Sequence, residues 1–169
     1  MWQMDTLLAI MSKRDTRGYS ERPVPEDVAR RILDAGRVAG SARNRQPWRF
    51  LVIESADRRE RLADAVYAPD NVRGAQLVVA IVGSTGLDVG RCAQNMMLAA
   101  WNDGVASCPN GVADADKAYE ALGLGPDDKI GTVLTFGYPA RGADPERRPP
   151  EAWSARADRK PLDELIERL

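Results

Sequence analysis

A short basic run, KRDTR at residues 13–17, is the first set of residues that could do chemistry. Arginine can hold a phosphate through two parallel hydrogen bonds, and lysine can hold it as a point charge. Lys13, Arg14 and Arg17 therefore suit a phosphate clamp. Cations also favour the C-terminal end of a helix, because the helix dipole is negative there. From these residues alone, a clamp and a basic helix end both stay open.

A second candidate is the loop SARNRQPWRF, residues 41–50, where two amides stand among three arginines. Asn44 and Gln46 offer acceptors as well as donors, which phosphate binding does not require. A polar heterocycle with mixed edges, such as a flavin, does require both. The competing interpretation is a solvated turn in which Pro47-Trp48 begins a strand.

Two further segments have the composition of a ligand contact. SCPNG, residues 107–111, contains strong turn chemistry after a predicted strand, and its backbone groups could also meet a planar ligand. Arg159 and Lys160 precede a predicted helix start, where the dipole disfavours cations, so an anion between them is favoured. The chain has neither a P-loop nor a G-x-G-x-x-G signature, which argues against those kinds of nucleotide site.

The absence of histidine restricts the chemistry more than any other feature. It excludes Ser-His-Asp and Cys-His arrangements and histidine-ligated zinc or haem. Cys92 and Cys108 have neither metal-ligand nor CxxC spacing, and Cys108 has no histidine to activate it as a nucleophile. An enzyme of this composition must use carboxylates, lysine, cysteine or a cofactor that brings its own chemistry.

Length and composition predict one soluble domain over residues 1–169. Cations and acids are too mixed along the chain for a nucleic-acid tail, so we expect no nucleic-acid partner. No stretch approaches the roughly 20 apolar residues that cross a bilayer. The N-terminal apolar run has an acid before it and cations after it, the reverse of a signal peptide. We therefore expect a cytoplasmic protein without a membrane partner.

Hydrophobic spacing and helix-end signals predict a mixture of helices and strands. The apolar run 76–83 predicts a strand buried on both faces, and the segment from Asp88 to Asn102 predicts a central buried helix. The other predicted helices are 6–12, 25–40, 57–66, 114–122 and 162–168, and the other predicted strands are 48–54, 105–108 and 130–136. Residues 140–158 predict a surface excursion. Because the elements lack strict βαβ alternation, an α+β layer fold is favoured.

Taken in order, these segments resemble the FMN-dependent nitroreductase family. The stretch KRDTRGYSERPVPEDVARRILDAGRVAGSARNRQPWRFLVIE is similar to the family's N-terminal signature, and DVGRCAQNMMLAAWNDGVASCPNG is similar to its core helix and following turn. FGYP and RKPLDEL resemble its closing strand and C-terminal basic motif. The resemblance implies a nitroreductase-like α+β sandwich with a mostly antiparallel central sheet flanked by helices. It also implies a homodimer with one FMN in each of two sites at the subunit interface.

Ten positions match flavin contacts of the family: the first basic run, the loop against the flavin ring, the turn on the other side of the ring, and a late cation on phosphate or ribityl. They are Lys13, Arg14, Asp15 and Arg17 in the run, Ser41 and Asn44 in the loop, Asn110 and Gly111 in the turn, and Arg159 and Lys160 as the late cation. The resemblance assigns no protein residue a catalytic role, since flavin N5 carries the chemistry.

Three positions depart from the family's pattern. Lys13 stands where arginine is usual, and loses bidentate geometry. Asp15 stands where serine is commoner, so its carboxylate is expected to orient an arginine or a flavin hydroxyl rather than bind phosphate. Gly40 replaces a proline. Only Ser84–Leu87 separate the buried strand from the core helix, so segments that often cover the flavin are expected to be missing.

The leading hypothesis is an FMN-dependent oxidoreductase. NADH or NADPH would reduce the flavin, leave, and be replaced by a small nitroaromatic or quinone-like acceptor in a ping-pong cycle. The absence of histidine agrees with it, because hydride transfer through flavin N5 needs none. A second hypothesis is a flavin-holding protein without turnover, serving storage or regulation. A third keeps the fold but changes the chemistry to flavin destruction or reductive dehalogenation.

Overall fold

The computed structural model describes residues 4–169, which begin with two helices. Helix α1, Thr6–Ser12, starts where it was predicted because the Asp5 carboxylate accepts hydrogen bonds from the amides of Leu7 and Leu8 at 2.9 and 3.1 Å. Helix α2, Glu26–Arg37, has two acids in its first turn, where the helix dipole favours negative charge.

The remaining elements are strands and helices mixed along the chain. They are β1 Arg49–Val52, α3 Ala56–Ala63, α4 Pro69–Arg73, β2 Leu77–Val82, α5 Leu87–Asn102, β3 Ala106–Asn110, α6 Ala115–Leu122, β4 Ile130–Gly137 and α7 Pro150–Ala155. Single 3₁₀ turns lie at Ala42–Asn44, Pro145–Arg147 and Leu162–Glu164.

The four strands form one sheet in the order β1-β2-β4-β3, and every neighbouring pair is antiparallel. Strand β2 lies inside the sheet, and all of its residues are buried, as its continuous apolar run predicted. Strands β1 and β3 are the two edges. The predicted α+β fold, with an antiparallel central sheet flanked by helices, is confirmed.

Two hydrophobic layers cover the sheet, and β2 contributes alternate residues to each because successive side chains point to opposite faces. One layer packs under α2 and α5, and its buried members include Ile32, Val79, Ile81, Met96 and Phe136. The other packs under α3, α4 and α6, and its buried members include Leu62, Val72, Val78, Ala80 and Val82. Helices α2 and α5 approach closely at Gly36, where a Cβ atom would lie 2.7 Å from Met96 Cγ.

The predicted turn at Pro109-Asn110 is wrong, because both residues belong to strand β3. Pro109 pairs with Leu134 and Asn110 pairs with Val133 in the antiparallel ladder to β4. Proline is tolerated because β3 is an edge strand, where one side of the backbone needs no ladder partner. The change of direction therefore begins at Gly111, which follows the strand.

The predicted elements differ from the structure in other places as well, and two short helices were not predicted. Helix α2 ends at Arg37 rather than at Gly40. Helices α4 and α7, of five and six residues, were missed because they are too short to show a helical period. The predicted helix 162–168 is only the 3₁₀ turn Leu162–Glu164. Residues 158–169 are exposed, so no packing supports a longer helix.

No helix within residues 4–169 is both long enough and apolar enough to span a membrane.

Candidate functional site

The basic run 13–17 lies along the free edge of β3. Asp15 forms a parallel bridge with Ser107, and the Thr16 amide donates to the Ser107 carbonyl at 3.1 Å. Helix α1 ends at Ser12, immediately before the run, so the end of α1 and the edge of the sheet together place it. The strand then continues to Asn110, so the first predicted flavin-binding run and the third predicted segment are neighbours.

The cations of this run have different surroundings. Lys13 Nζ pairs with the Asp15 carboxylate and donates to Met97 Sδ of helix α5 at 3.4 Å. Arg14 donates to three carbonyls, those of Met11 and Lys13 at 2.8 Å each and that of Trp153 at 2.9 Å. Arg14 therefore joins the end of α1 to helix α7 in this structure.

Arg17 is exposed and forms no ion pair or hydrogen bond through its side chain among the described residues. Its guanidinium is therefore free to meet a ligand anion. Asp15 is also exposed, with about half of its side chain accessible, so its carboxylate can accept a further hydrogen bond while it pairs with Lys13.

Asn110 is buried and belongs to a polar network inside the sheet. Its Nδ2 donates to the carbonyls of Cys108 and Val133 at 3.1 Å each and to Thr135 Oγ1 at 3.2 Å. Its Oδ1 accepts from Asn71 Nδ2 at 2.6 Å. The Asn110 side chain thus fixes the end of β3. Because Gly111 is exposed, its backbone is the better candidate for a direct ligand contact in this segment.

Sequence reasoning missed Asn71, which lies in the short helix α4. Asn71 Oδ1 and Ser107 Oγ are buried atoms that find no hydrogen-bond partner within residues 4–169. Buried polar atoms are nearly always paired, so each such exception points to something the folded chain alone does not supply. Both atoms belong to residues that contact the predicted site: Ser107 pairs with Asp15, and Asn71 donates to Asn110.

Tyr67 is a second residue that the sequence did not single out. Its amide donates to the Gly111 carbonyl at 3.1 Å, although 78% of the residue is exposed. The neighbouring Val66 and Val112 form an antiparallel bridge that holds the two segments together. In the sequence, the position of this tyrosine just before Ala68-Pro69 was the one feature that could have drawn attention to it.

The loop that contains Ser41 and Asn44 has strained backbone geometry. Arg43, Asn44 and Gln46 have φ values of 54°, 54° and 48°, in the left-handed region that side-chain-bearing residues adopt rarely. Ser41 Oγ accepts from the Gln46 amide at 2.9 Å, which closes the loop. The Asn44 side chain is exposed, and no described residue hydrogen-bonds to its amide group. Such strain is concentrated at functional sites.

The same loop is anchored to β2 and to α5. Gly83, with φ of 109°, follows β2, and a Cβ atom there would lie 2.8 Å from the Pro47 carbonyl oxygen. The Ala42 amide donates to Asp88 in the first turn of α5 at 3.2 Å. Gly40 allows a further contact, because a Cβ atom there would meet Arg91 Nη2 at 2.4 Å. Glycine at position 40, where the family usually has proline, thus leaves room for the Arg91 guanidinium.

The structure does not bring all ten predicted residues together in one chain. The loop meets α5 at Asp88 and Lys13 meets α5 at Met97, nine positions later, which corresponds to about 14 Å along the helix axis. The two groups also lie toward opposite edges of the sheet. Among residues 4–169, no hydrogen bond or ion pair joins Ser41 or Asn44 to the run 13–17 or to Asn110 and Gly111.

Arg159 and Lys160 also lie apart from the other predicted residues. Both are exposed in the C-terminal segment, and Arg159 Nη1 donates only to the nearby carbonyls of Ala157 and Asp158, at 2.8 and 3.4 Å. Asp158 has a φ of 50°, so the backbone turns immediately before the pair. Their assignment as a late cation remains a prediction.

Two buried groups near these elements have shifted ionisation. Burial raises the pKa of Tyr19 above its usual value. The hydrogen bond between its hydroxyl and Thr135 Oγ1, at 3.0 Å, lowers the pKa but is the smaller effect. Burial also raises the pKa of Cys92, in the middle of α5, to about 11. Both groups are therefore neutral at physiological pH, and Cys92 is not a thiolate nucleophile there.

Comparison with known proteins places this geometry in one family. The model of the Nitroreductase family matches residues 10–85 and 82–138. A protein of Methanothermobacter thermautotrophicus, provisionally named NADH dehydrogenase/NAD(P)H nitroreductase, is 29% identical over an alignment of 170 positions that covers 89% of each chain.

Solved structures share the fold over almost the whole chain. One from Desulfovibrio desulfuricans, provisionally named a nitroreductase and solved in complex with FMN, is 28% identical with a TM-score of 0.80 and covers 99% of this chain and 98% of its own. A nitroreductase family protein from Clostridium difficile 630 is 24% identical with a TM-score of 0.81 and covers 97% and 98%. Because the family model spans most of the sequence, this chain belongs to the Nitroreductase family.

Proposed function

We propose that this protein is an FMN-dependent NAD(P)H oxidoreductase that reduces a small organic acceptor of nitroaromatic or quinone-like type. Family membership supports the oxidoreductase class, and the Desulfovibrio relative was solved with FMN. The observation that carries the proposal in this chain is the basic run 13–17 seated along β3, where Asp15 pairs with Ser107 and the strand leads to Asn110 and Gly111.

The groups at this edge fit a phosphorylated, hydroxyl-bearing cofactor. Arg17 supplies a free cation for phosphate, and the Asp15 carboxylate supplies an acceptor for a ribityl hydroxyl. Ser107, which bridges to Asp15, has a buried Oγ without a hydrogen-bond partner among the described residues, and the Gly111 backbone is exposed. FMN, when bound, supplies the hydride-transfer chemistry, for which the protein provides binding, orientation and charge.

We infer that Ser41 and Asn44 serve a flavin held by a second copy of the chain. The separation of the two groups along α5 supports this inference, because one chain does not bring them together. Exposed apolar side chains at Leu162, Leu165 and Ile166 also favour burial against a partner. Light scattering of the FMN-bound protein should therefore give the mass of two chains. A single-chain mass with bound FMN would contradict a shared site.

A mixed dimer tests the shared site more sharply. One copy carries Arg17→Ala and the other carries Asn44→Ala, with different affinity tags so that the mixed species can be purified. If each site takes Arg17 from one copy and Asn44 from the other, one site receives both substitutions and the other receives neither. The mixed dimer should then bind one FMN with wild-type affinity. Two weakened sites, with none of wild-type affinity, would show that both residues serve the same copy's flavin.

The activity itself is tested by absorbance of the purified protein. We expect flavin absorbance that bleaches in stopped-flow when NADH or NADPH is added without oxygen and returns when a quinone or nitroaromatic is added. Protein that stays colourless and binds no added FMN would refute the proposal. Flavin that binds but does not bleach at a useful rate would instead establish the flavin-holding protein without turnover.

Steady-state kinetics test the order of the two half-reactions. If donor and acceptor occupy the same position in turn, double-reciprocal plots against donor at several fixed acceptor concentrations should be parallel. Plots that intersect would show that donor and acceptor are bound together, and would replace ping-pong with a ternary-complex order.

A further inference from the structure

Several arginines converge on one tryptophan in the segment that follows β4. The guanidinium carbons of Arg147 and Arg148 lie 5.6 and 5.1 Å from the centroid of the Trp153 ring. The backbone amide of Arg156 donates to the Trp153 carbonyl at 3.2 Å at the end of α7, and the Arg156 side chain is near enough for its charge to act on Arg148. Arg14 Nη2 donates to the same carbonyl at 2.9 Å, from the end of α1.

Trp153 is held rigidly at the centre of this group. Its indole Nε1 donates to the Pro145 carbonyl at 2.7 Å, which ties α7 to the preceding 3₁₀ turn. Arg14, which also binds the carbonyls of Met11 and Lys13, ties α7 to α1. The backbone from which the arginines project is therefore held at both α1 and the 3₁₀ turn, and Trp153 offers them an aromatic face.

The arginines around Trp153 lack ion-pair partners within the described residues. None of Arg147, Arg148 and Arg156 forms an ion pair in residues 4–169. Several other arginines in those residues do pair with carboxylates. The nearby Asp144 accepts from the Glu146 amide at 3.0 Å and so caps the 3₁₀ turn. The guanidinium groups of Arg147, Arg148 and Arg156 are therefore not engaged by a carboxylate of the described residues.

One guanidinium nitrogen also lacks any acceptor. Arg148 is half-buried as a whole, but its Nη1 is buried and has no hydrogen-bond acceptor in the part of the chain that the structure describes. The pKa of Arg148 is lowered from its usual value, first by burial and then by the like charges of Arg147 and Arg156. A buried donor on a cation is destabilising unless it is paired, and an anion would supply both the acceptor and the counter-charge.

We propose that Arg147, Arg148 and Arg156 form a binding site for a phosphate dianion, with Trp153 as the platform that positions them. A phosphate offers acceptors to several planar guanidinium groups at once and balances two of their charges, which a single carboxylate does not. Arg14 acts here as a positioning residue, through the Trp153 carbonyl. The phosphate can be inorganic, the terminal phosphate of FMN, or the 2′-phosphate of NADPH.

Calorimetric titration of the flavin-free full-length protein with inorganic phosphate tests the site, at ionic strength held constant with sodium chloride. An Arg17→Gln background removes the free cation of the basic run. In that background, Arg148→Gln and Arg147→Gln should each weaken phosphate binding roughly tenfold. Arg141→Gln, an exposed arginine of the same segment with no described contact to Trp153, should leave it unchanged.

Equal phosphate affinity in all of these proteins would overturn the proposal. Arg147 is exposed, so Arg147→Gln remains decisive even if Arg148→Gln impairs folding, which circular dichroism would reveal. Arg148→Lys provides a further readout: it keeps the charge but loses the planar fork, and should bind phosphate with intermediate affinity.

Repeating the titration after saturation with FMN identifies the source of the phosphate. If FMN abolishes phosphate binding, the arginines hold the flavin's own phosphate. If binding persists and Arg148→Gln raises KM for NADPH but not for NADH, they hold the donor's 2′-phosphate; if neither KM changes, the ligand is free phosphate. Because the first titration needs no flavin, a failure to bind FMN would refute the proposed function without affecting the phosphate result.

Discussion

The ring of Tyr67 lies directly against Gly111: a Cβ atom on Gly111 would be 3.0 Å from Tyr67 Cδ2 and 3.4 Å from Tyr67 Cε2. Glycine is therefore favoured at position 111 by the closeness of an aromatic ring, since its φ is not among the positive values of the chain. Because Tyr67 is largely exposed, its ring forms a wall beside the backbone that we propose to meet the flavin.

Gly111→Ala should push the Tyr67 ring aside and weaken FMN binding several-fold, while the free energy of unfolding changes by only about 0.5 kcal/mol. The stability effect is small because an exposed ring can move. Fluorescence titration with FMN measures the affinity, and urea unfolding measures the stability. Gly142→Ala is the matched control, since no atom lies within 4 Å of a Cβ there. Wild-type FMN affinity in Gly111→Ala would reject a ligand contact at this turn.

Arg14 and Arg17 should differ in what their removal changes. Arg14→Ala leaves three carbonyls without their donor, so we expect it to lower the free energy of unfolding by about 1–3 kcal/mol and FMN affinity with it. Arg17→Ala removes a free, exposed cation, so FMN affinity should fall by about 1–3 kcal/mol with little effect on stability. Urea unfolding and flavin occupancy after dialysis distinguish them. Unchanged occupancy in Arg17→Ala would remove Arg17 from the clamp.

Asn110→Ala should lower the free energy of unfolding by about 2–4 kcal/mol, because it removes several buried hydrogen bonds at once and takes from Asn71 Nδ2 the acceptor that it has in this structure. Asn95→Ala is a milder amide deletion for comparison, since Asn95 makes one part-buried bond of 3.3 Å to the Ala35 carbonyl. Chemical denaturation measures both. Equal losses for the two variants would show that the Asn110 network does not stabilise the sheet edge.

Cys92 should make stability depend on alkaline pH. Burial raises its folded pKa from 9.0 to about 11, so the neutral thiol contributes its full stability below pH 9 and loses it as pH rises through 11. Cys92→Ala removes this slope, so the stability difference between wild type and variant should shrink by about 2 kcal/mol from pH 8 to pH 11. Ionisation of Tyr19 also lowers the free energy of unfolding at alkaline pH, but by the same amount in wild type and variant. A constant difference would show that the folded thiol titrates normally.

Most of the fold could be predicted from local signals. The all-buried run of β2, the nearly apolar helix α5 and the cap at Asp5 each have one physical cause within a few neighbouring residues, and each was placed to within two residues. The segment at Pro109 was misjudged because turn chemistry there is overridden by pairing with Leu134, a residue far along the chain. Helices α4 and α7 are too short to carry a period.

The order of KRDTR, SARNRQPW and PNG along the chain was enough to predict the family and its antiparallel α+β fold, because motif order and hydrophobic period are properties of the sequence itself. Tertiary structure alone decided which of these residues meet. It turned the Asn110 side chain into the sheet, set Tyr67 against Gly111, and left Asn44 far from Arg17. It also brought Arg147 and Arg148 over the Trp153 ring, with Arg156 nearby and with no ion pair to a carboxylate among the described residues. Spacing in sequence does not report such contacts, since they depend on how distant elements pack.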